Sequence, residues 1–94
     1  EHAAETLSGG YELLTIRNKT VYDITHVLYG ASFLMKPNET WIYTGHSEAI
    51  IEFDADIRDD VQEWKKYKLT NGVYEFQDDP SPENPYDIEL YWVG

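Results

Sequence analysis

The sequence predicts an all-β chain, a single antiparallel β-sandwich of about seven or eight short strands, with a small β-barrel as the alternative. Two observations lead to this fold class. Bulky apolar residues alternate with polar residues through most of the chain, and turn-forming residues interrupt that alternation about every ten residues. Residues that fit a pleated sheet, such as Tyr, Val, Ile, Thr and Trp, are frequent, whereas no stretch shows the apolar stripe of a helix.

Chain length limits how such a fold can be stabilised. The chain has 94 residues and no cysteine, so a modest core must hold it together without disulfides. Its 8 Tyr, 3 Trp and 3 Phe supply large buried areas for that core. Residues 1–10 are small and polar and are predicted to form a flexible tail, and residues 11–94 are predicted to form one sandwich domain.

Each strand is predicted from its alternation and from the turn residues that bound it. In chain order, the predicted strands cover residues 11–17, 21–29, 31–35, 40–44, 48–55, 61–69, 73–77 and 86–93. The residues that share an apolar face are, in the same order, Leu14 and Ile16; Tyr22, Ile24, His26 and Leu28; the short segment 31–35; Trp41 and Tyr43; Ala49, Ile51, Phe53 and Ala55; Val61, Tyr67 and Leu69; Tyr74 and Phe76; and Tyr86, Ile88, Leu90 and Trp92.

The segments between the strands carry residues that favour turns. Pro37 fits the second position of a type I or type II turn over residues 36–39. The other breaks are residues 18–20, Gly30, residues 45–47, the acidic turn 56–60, Asn71-Gly72 and the proline-rich acidic loop 78–85.

Two interpretations compete for the segment around Asn71-Gly72. An Asn-Gly pair between two strands is typical of a tight hairpin. Alternatively, Leu69, Gly72 and Tyr74 mark a corner where the chain crosses between sheets and a Tyr hydroxyl bonds to backbone a few residues upstream. Together with Leu34-Met35-Lys36-Pro37-Asn38-Glu39-Thr40, this second pattern resembles that of immunoglobulin-like, Greek-key sandwiches, without their hallmark cysteine pair.

Charge narrows the classes of partner. Seven basic and 18 acidic residues give a net charge of −11. This balance argues against nucleic acid and against an anionic membrane surface, both of which need Lys/Arg clusters, and it favours a basic protein partner. No apolar run is long enough for membrane insertion. The first residue is Glu1 rather than Met, which we interpret as removal of a signal peptide or of an upstream domain, and a secreted or extracytoplasmic location is expected.

A run of carboxylates follows the fifth predicted strand and is a candidate calcium site. Calcium takes six to eight oxygen ligands, so Asp78 and Asp79 of a second loop would have to complete the shell. The alternative is a solvated acidic turn that discourages aggregation at a sheet edge. The candidate ligands are Asp54, Asp56, Asp59 and Asp60, and no other cofactor is indicated.

A second candidate site is a set of aromatic rings that stack on sugars or on peptide side chains. Trp64 lies among charged residues and is predicted to be the exposed tryptophan, whereas Trp92 alternates with apolar residues and is predicted to be in the core. The candidate ligand-binding residues are Trp41, Tyr43, Trp64 and Tyr91.

No catalytic constellation is apparent, and we expect that the protein is not an enzyme. His26 lies on a strand face with apolar residues and is predicted to be a hydrogen-bonded core or boundary residue. His46 falls in a turn and His2 in the tail, and without cysteine these three histidines do not suggest zinc.

The leading functional hypothesis is a non-catalytic accessory or protein-binding module with a basic protein partner. One alternative is a carbohydrate-binding type of ligand module, with or without calcium. Another is an acidic inhibitor or immunity-type protein that blocks a cationic enzyme. A homodimer formed through an edge strand is also possible, and the sequence does not decide it.

Overall fold

The computed structural model describes residues 12–45 and 48–94, and this part of the chain folds into eight strands without a helix. Consequently no helix in it is long and apolar enough to cross a membrane. The tail predicted over residues 1–10, with His2, and the turn residues His46 and Ser47 lie outside the described residues. The strands are β1 (Glu12–Asn18), β2 (Ile24–Leu28), β3 (Ala31–Met35), β4 (Thr40–Gly45), β5 (Ala49–Asp54), β6 (Trp64–Leu69), β7 (Gly72–Asp78) and β8 (Ile88–Trp92).

Two four-stranded sheets form a sandwich, as predicted, and the barrel alternative is wrong because neither sheet closes. The first sheet has the order β4-β1-β7-β8 and the second has the order β3-β2-β5-β6. All pairs are antiparallel except β1 with β7, which run parallel. The prediction of a purely antiparallel fold is therefore wrong at that pair. Parallel neighbours need a long connection, and here the chain between β1 and β7 passes through the second sheet.

The predicted strands match the observed ones closely; β2 and β6 each begin three residues later than predicted and β8 begins two residues later. β2 begins at Ile24 rather than at residue 21, because Asn18 holds the preceding residues in a bend. Its Oδ1 accepts from the Thr20 backbone nitrogen (2.9 Å) and its Nδ2 donates to the Tyr22 carbonyl (2.7 Å). β6 likewise begins at Trp64 rather than at residue 61.

The core lies between the two sheets and is built from most of the predicted apolar faces. Three tyrosines that were predicted on those faces are exposed, namely Tyr22, Tyr67 and Tyr86. In β5, for example, Ala49, Ile51 and Phe53 are fully buried, as predicted. Phe53 from the second sheet meets Phe76 from the first, with ring centroids 5.0 Å apart. A side chain of this size buried completely contributes roughly 2–3 kcal/mol, so these contacts replace the disulfides that the chain lacks.

Two turns around β3 use residues with positive φ. Tyr29 and Gly30, at φ 52° and 78°, form the two-residue loop of the β2–β3 hairpin, where both turn residues need positive φ. In the connection from β3 to β4, Asn38 has φ 66° and the Glu39 nitrogen donates to the Lys36 carbonyl. Pro37 therefore occupies the second position of a type II turn, one of the two types predicted.

The segment after β6 is a crossing between sheets, so the hairpin interpretation is wrong and the tyrosine-corner interpretation is confirmed. β6 and β7 belong to different sheets. The Tyr74 hydroxyl donates to the Thr70 carbonyl (2.9 Å) and accepts from the Thr70 nitrogen (3.1 Å). This reciprocal pair satisfies a part-buried stretch of backbone at the crossing.

Trp92 is not a core residue, and the prediction that placed it there is wrong. It stands opposite Tyr74 at the end of an edge strand, and 68% of it is exposed. At that end it lies against Gly72, where a Cβ would come within 2.5 Å of the indole nitrogen. Alternation assigned its face correctly, but the core stops before residue 92.

Candidate functional site: an acidic cavity at one end of the sandwich

A short cross-connection closes one end of the sandwich. After β5 the chain passes to the other sheet, where the Ile57 nitrogen donates to the Tyr86 carbonyl (3.2 Å). The Ile88 nitrogen donates to the Ala55 carbonyl (2.8 Å), and an isolated bridge pairs Asp56 with Asp87. These bonds fix the backbone of residues 55–57, where the acidic turn begins.

A cavity of about 230 Å³ opens beside this connection. Three apolar residues, Leu34, Ile57 and Ile88, contribute to its lining, and the rest of the lining is polar. The charged residues that line it are Asp23, Asp54, Asp56, Asp59 and Arg58. The formal charges of these five side chains sum to −3, so the cavity favours a cation.

Arg58 forms an ion pair with Asp56. The Arg58 side chain donates through Nε to Asp56 Oδ1 (2.9 Å) and through Nη2 to Oδ2 (2.7 Å), in the bidentate geometry that arginine favours. The hydrogen bonds from Arg58 hold the pKa of the buried Asp56 carboxyl well below its usual range, although burial opposes this shift. The Arg58 guanidinium also lies over the Tyr86 ring, 4.5 Å from its centroid.

The other predicted calcium ligands are arranged differently. Asp54 Oδ1 accepts from the backbone nitrogens of Asp56 and Glu63, each at 3.2 Å. Asp59 lines the cavity from an exposed position, whereas Asp60 is exposed and is not part of the lining. Within residues 12–45 and 48–94, no three His, Asp or Glu side chains are grouped so that they would hold a metal ion.

The predicted aromatic residues do not form one surface. Trp41 and Tyr43 stack with ring centroids 6.1 Å apart, and Tyr43 is buried. Trp64 is exposed, as predicted, but belongs to β6 in one sheet, while Tyr91 belongs to β8 in the other and bonds to Asp79 (2.8 Å). Only the first two of these four residues therefore lie together.

His26 is a buried, hydrogen-bonded core residue, as predicted. Its Nε2 lies 2.7 Å from the Tyr43 hydroxyl, and its ring packs against Phe33 and Phe76. Burial lowers the His26 pKa from 6.5 to about 4. Burial, aided by the negative charge of Glu39, raises the pKa of Tyr43 above its ordinary value.

Sequence reasoning missed two of the charged residues that line the cavity, Asp23 and Arg58. Asp23 precedes β2, and β2 pairs with β5 in a register that brings its start beside the end of β5. Nothing in the sequence fixes that register. Arg58 offered a detectable signal, because a lone cation inside a run of acids is expected to pair with a near neighbour.

Comparison with known proteins adds no relative. No family model matches the chain, and no curated protein or solved structure is significantly similar to it.

Proposed function

We propose that the chain is a non-catalytic binding module that recognises a basic segment of a protein partner at the acidic cavity. The observation that carries this proposal is the lining of the cavity: four aspartates converge on it, and its single cation is already bound to one of them. A lysine or arginine side chain of a partner would meet Asp23, Asp54 and Asp59, and the apolar lining residues would contact its aliphatic stem.

The charge of the whole chain supports this choice of partner. With a net charge of −11, the protein attracts cations over a long range, and the cavity gives that attraction a specific end point. Affinity for a basic partner should therefore fall as salt screens the charges.

A fluorescently labelled octa-arginine peptide serves as the probe. Asp54→Asn keeps an oxygen that accepts the two backbone bonds but removes the charge, and Asp59→Asn removes an exposed charge. Each substitution should weaken binding about threefold to tenfold in fluorescence anisotropy at low salt. Binding of the unmodified protein should decline steeply towards 0.3 M NaCl.

Glu48→Gln is the matched control. Glu48 lies just before β5, at the opposite end from the cavity, and its pair with Lys68 is exposed, so its loss costs little. If Glu48→Gln weakens binding as much as Asp54→Asn, the cavity is not the site. Binding that ignores salt would contradict the electrostatic basis of the proposal.

Calcium stays a prediction of the sequence: Asp54, Asp56 and Asp59 line the same cavity, but among the described residues no three acidic or histidine side chains are grouped so that they would hold an ion. Asp56 would have to exchange Arg58 for the ion. Millimolar calcium would then raise the melting temperature relative to EDTA, and Asp54→Asn would remove that shift. An unchanged melting temperature would eliminate the calcium site.

The remaining parts of the hypothesis come from the sequence alone, and the cavity does not bear on them. Secretion, the carbohydrate-binding type and the inhibitor type stay predictions. The immunoglobulin-like type also stays a prediction. The tyrosine corner at Tyr74 supports it, while β1 pairs with β4 and β7 rather than with the second strand.

A further inference from the structure

The side of the sandwich formed by β3 and β4, here called the β3–β4 side, differs from the rest of the surface. β3 is the edge of one sheet and β4 is the edge of the other, and they are consecutive in the chain. Neither Ala31–Met35 nor Thr40–Gly45 contains a charged residue, although 27% of the whole chain is charged. Neither strand contains proline.

Natural edge strands usually carry charges, prolines or bulges that prevent pairing with another chain. The opposite edges, β6 and β8, follow this rule. β6 contains three lysines, and Lys65 Nζ reaches across to Asp87 Oδ2 (3.1 Å) and Glu89 Oε2 (3.3 Å). The β3–β4 side has none of these protective features and so leaves two rows of backbone donors and acceptors open for pairing.

The side chains of the β3–β4 side are also suited to contact with another protein. Leu34 is 49% exposed and Ile42 is 69% exposed on the outer faces of the two edge strands. Beneath them the rings of Phe33, Trp41 and Tyr43 pack edge to face or stacked, with centroids 5.4–6.1 Å apart. These rings join the two sheets and keep the two edges at a fixed separation.

We propose that the β3–β4 side is a homodimer interface, in which a second copy of this chain pairs with it by strand addition. Charge identifies the occupant. Two copies that each carry −11 repel wherever their carboxylates meet, and these two strands contribute no carboxylate of their own to the paired edges; Glu39 lies in the turn between them and Leu34 at the acidic cavity. A basic partner, in contrast, meets more carboxylates at the acidic cavity than along two strands that contain none.

The geometry is consistent with a closed dimer. A two-fold axis normal to the sheets would place β4 antiparallel to β4 of the second copy and β3 antiparallel to β3 of the second copy. Strands of five and six residues give contacts about 17–20 Å long. Ile42 lies near the middle of β4, so the two Ile42 side chains would lie close to the axis.

Sedimentation velocity tests the dimer, with loading concentrations from about 1 μM to about 1 mM. The unmodified protein should sediment as a monomer at the low end and approach the dimer at the high end. Ile42→Lys places two ammonium groups near the axis and should weaken association at least tenfold. Added NaCl should strengthen the dimer, because it screens the repulsion between two acidic chains.

Ile50→Lys is the matched control, because Ile50 is an exposed isoleucine on β5, an inner strand of its sheet. It should associate like the unmodified protein, and circular dichroism should show both variants folded. A monomer at every concentration would overturn the proposal, as would a dimer that survives Ile42→Lys or fails equally with Ile50→Lys. Because salt has opposite expected effects on the dimer and on octa-arginine binding, failure of one proposal is distinguishable from failure of the other.

Discussion

The β3–β4 side and the β6–β8 side close the same core with different chemistry. On the first, the rings of Phe33, Trp41 and Tyr43 join the sheets, and the Trp41 indole donates to Glu39 Oε1 (3.3 Å) in the connecting turn. On the second, Lys65 and Tyr67 reach from β6 to the other sheet, and the Tyr67 hydroxyl donates to Glu89 Oε1 (2.7 Å). Both sides seal the interior, but only the charged one also prevents strand pairing.

On the β6–β8 side, the partly buried Lys65 keeps its charge because it has acidic partners. Burial of Lys65 works against its charged form, but the hydrogen bonds and charges of Asp87 and Glu89 outweigh this effect and raise its pKa. Burial of Tyr67 and its hydrogen bond to Glu89 raise the Tyr67 pKa to about 12, so the hydroxyl keeps its proton and donates. Replacing this network by rings removes the need for counterions and leaves an edge that another chain can use.

The largest expected effect is the pH dependence of stability caused by His26, whose ring contacts the rings of the β3–β4 side. The folded pKa of His26, about 4, lies below its unfolded value of 6.5, so the unfolded chain binds more protons between these values. Stability is therefore fully present above pH 6.5 and falls as pH drops towards 4, by about 3 kcal/mol. Urea denaturation at low protein concentration measures this loss.

The double variant His26→Leu/Tyr43→Phe isolates the histidine contribution. It removes both polar partners, so no buried hydroxyl is left unpaired. Between pH 6.5 and 4, its stability should fall less than that of the unmodified protein by about 3 kcal/mol. Equal pH dependence in the two proteins would show that His26 is not the titrating group.

Phe33→Ala should give the next largest effect. Phe33 is half-buried and its ring contacts His26, Trp41 and Tyr43, so truncation should destabilise the fold by about 2–3 kcal/mol. The loss should be the same at low and high salt, because no charge is involved. The control is Leu34→Ala, on the exposed face of the same strand, which should cost under about 1 kcal/mol. Equal costs at the two positions would contradict the stabilising role of the Phe33 ring contacts.

Lys65→Met should destabilise the fold by about 1–2 kcal/mol, because Asp87 and Glu89 lose their cation while the aliphatic stem is retained. High salt should reduce this difference, in contrast to Phe33→Ala. Lys66→Met, at an exposed position on the same strand, should change stability by less than about 0.5 kcal/mol. A salt-independent loss at Lys65 would mean that packing, not charge, closes the β6–β8 side.

The smallest expected effect is at the tyrosine corner, which lies between β6 and β7 and away from the β3–β4 side. Tyr74→Phe removes the two bonds to Thr70 and should cost about 1 kcal/mol in urea denaturation. It should leave dimerisation unchanged. Any shift in the sedimentation profile with this variant would show that the two regions are coupled.

Local pattern was enough to predict most of the fold. The alternation in β5 predicted its buried face, because side chains of a pleated strand alternate by geometry. The turn at Pro37 and the corner at Tyr74 were detectable because each depends on residues close in sequence.

Features that depend on contacts between residues distant in sequence were not predictable. The pairing of β1 with β7, the exposed end of β8 at Trp92 and the position of Asp23 at the acidic cavity all follow from strand register and sheet order. The sequence contains no local signal for these. The charge-free stretches 31–35 and 40–45 were visible, but their meaning required knowing that both are edges.

Amide hydrogen exchange at increasing protein concentration tests most directly whether the two sides differ as described. We expect the amides of β3 and β4 that point away from the neighbouring strand to exchange more slowly as protein concentration rises. The corresponding amides of β6 and β8 should keep their rates. Uniform rates at all concentrations, or slowing confined to β6 and β8, would contradict the account.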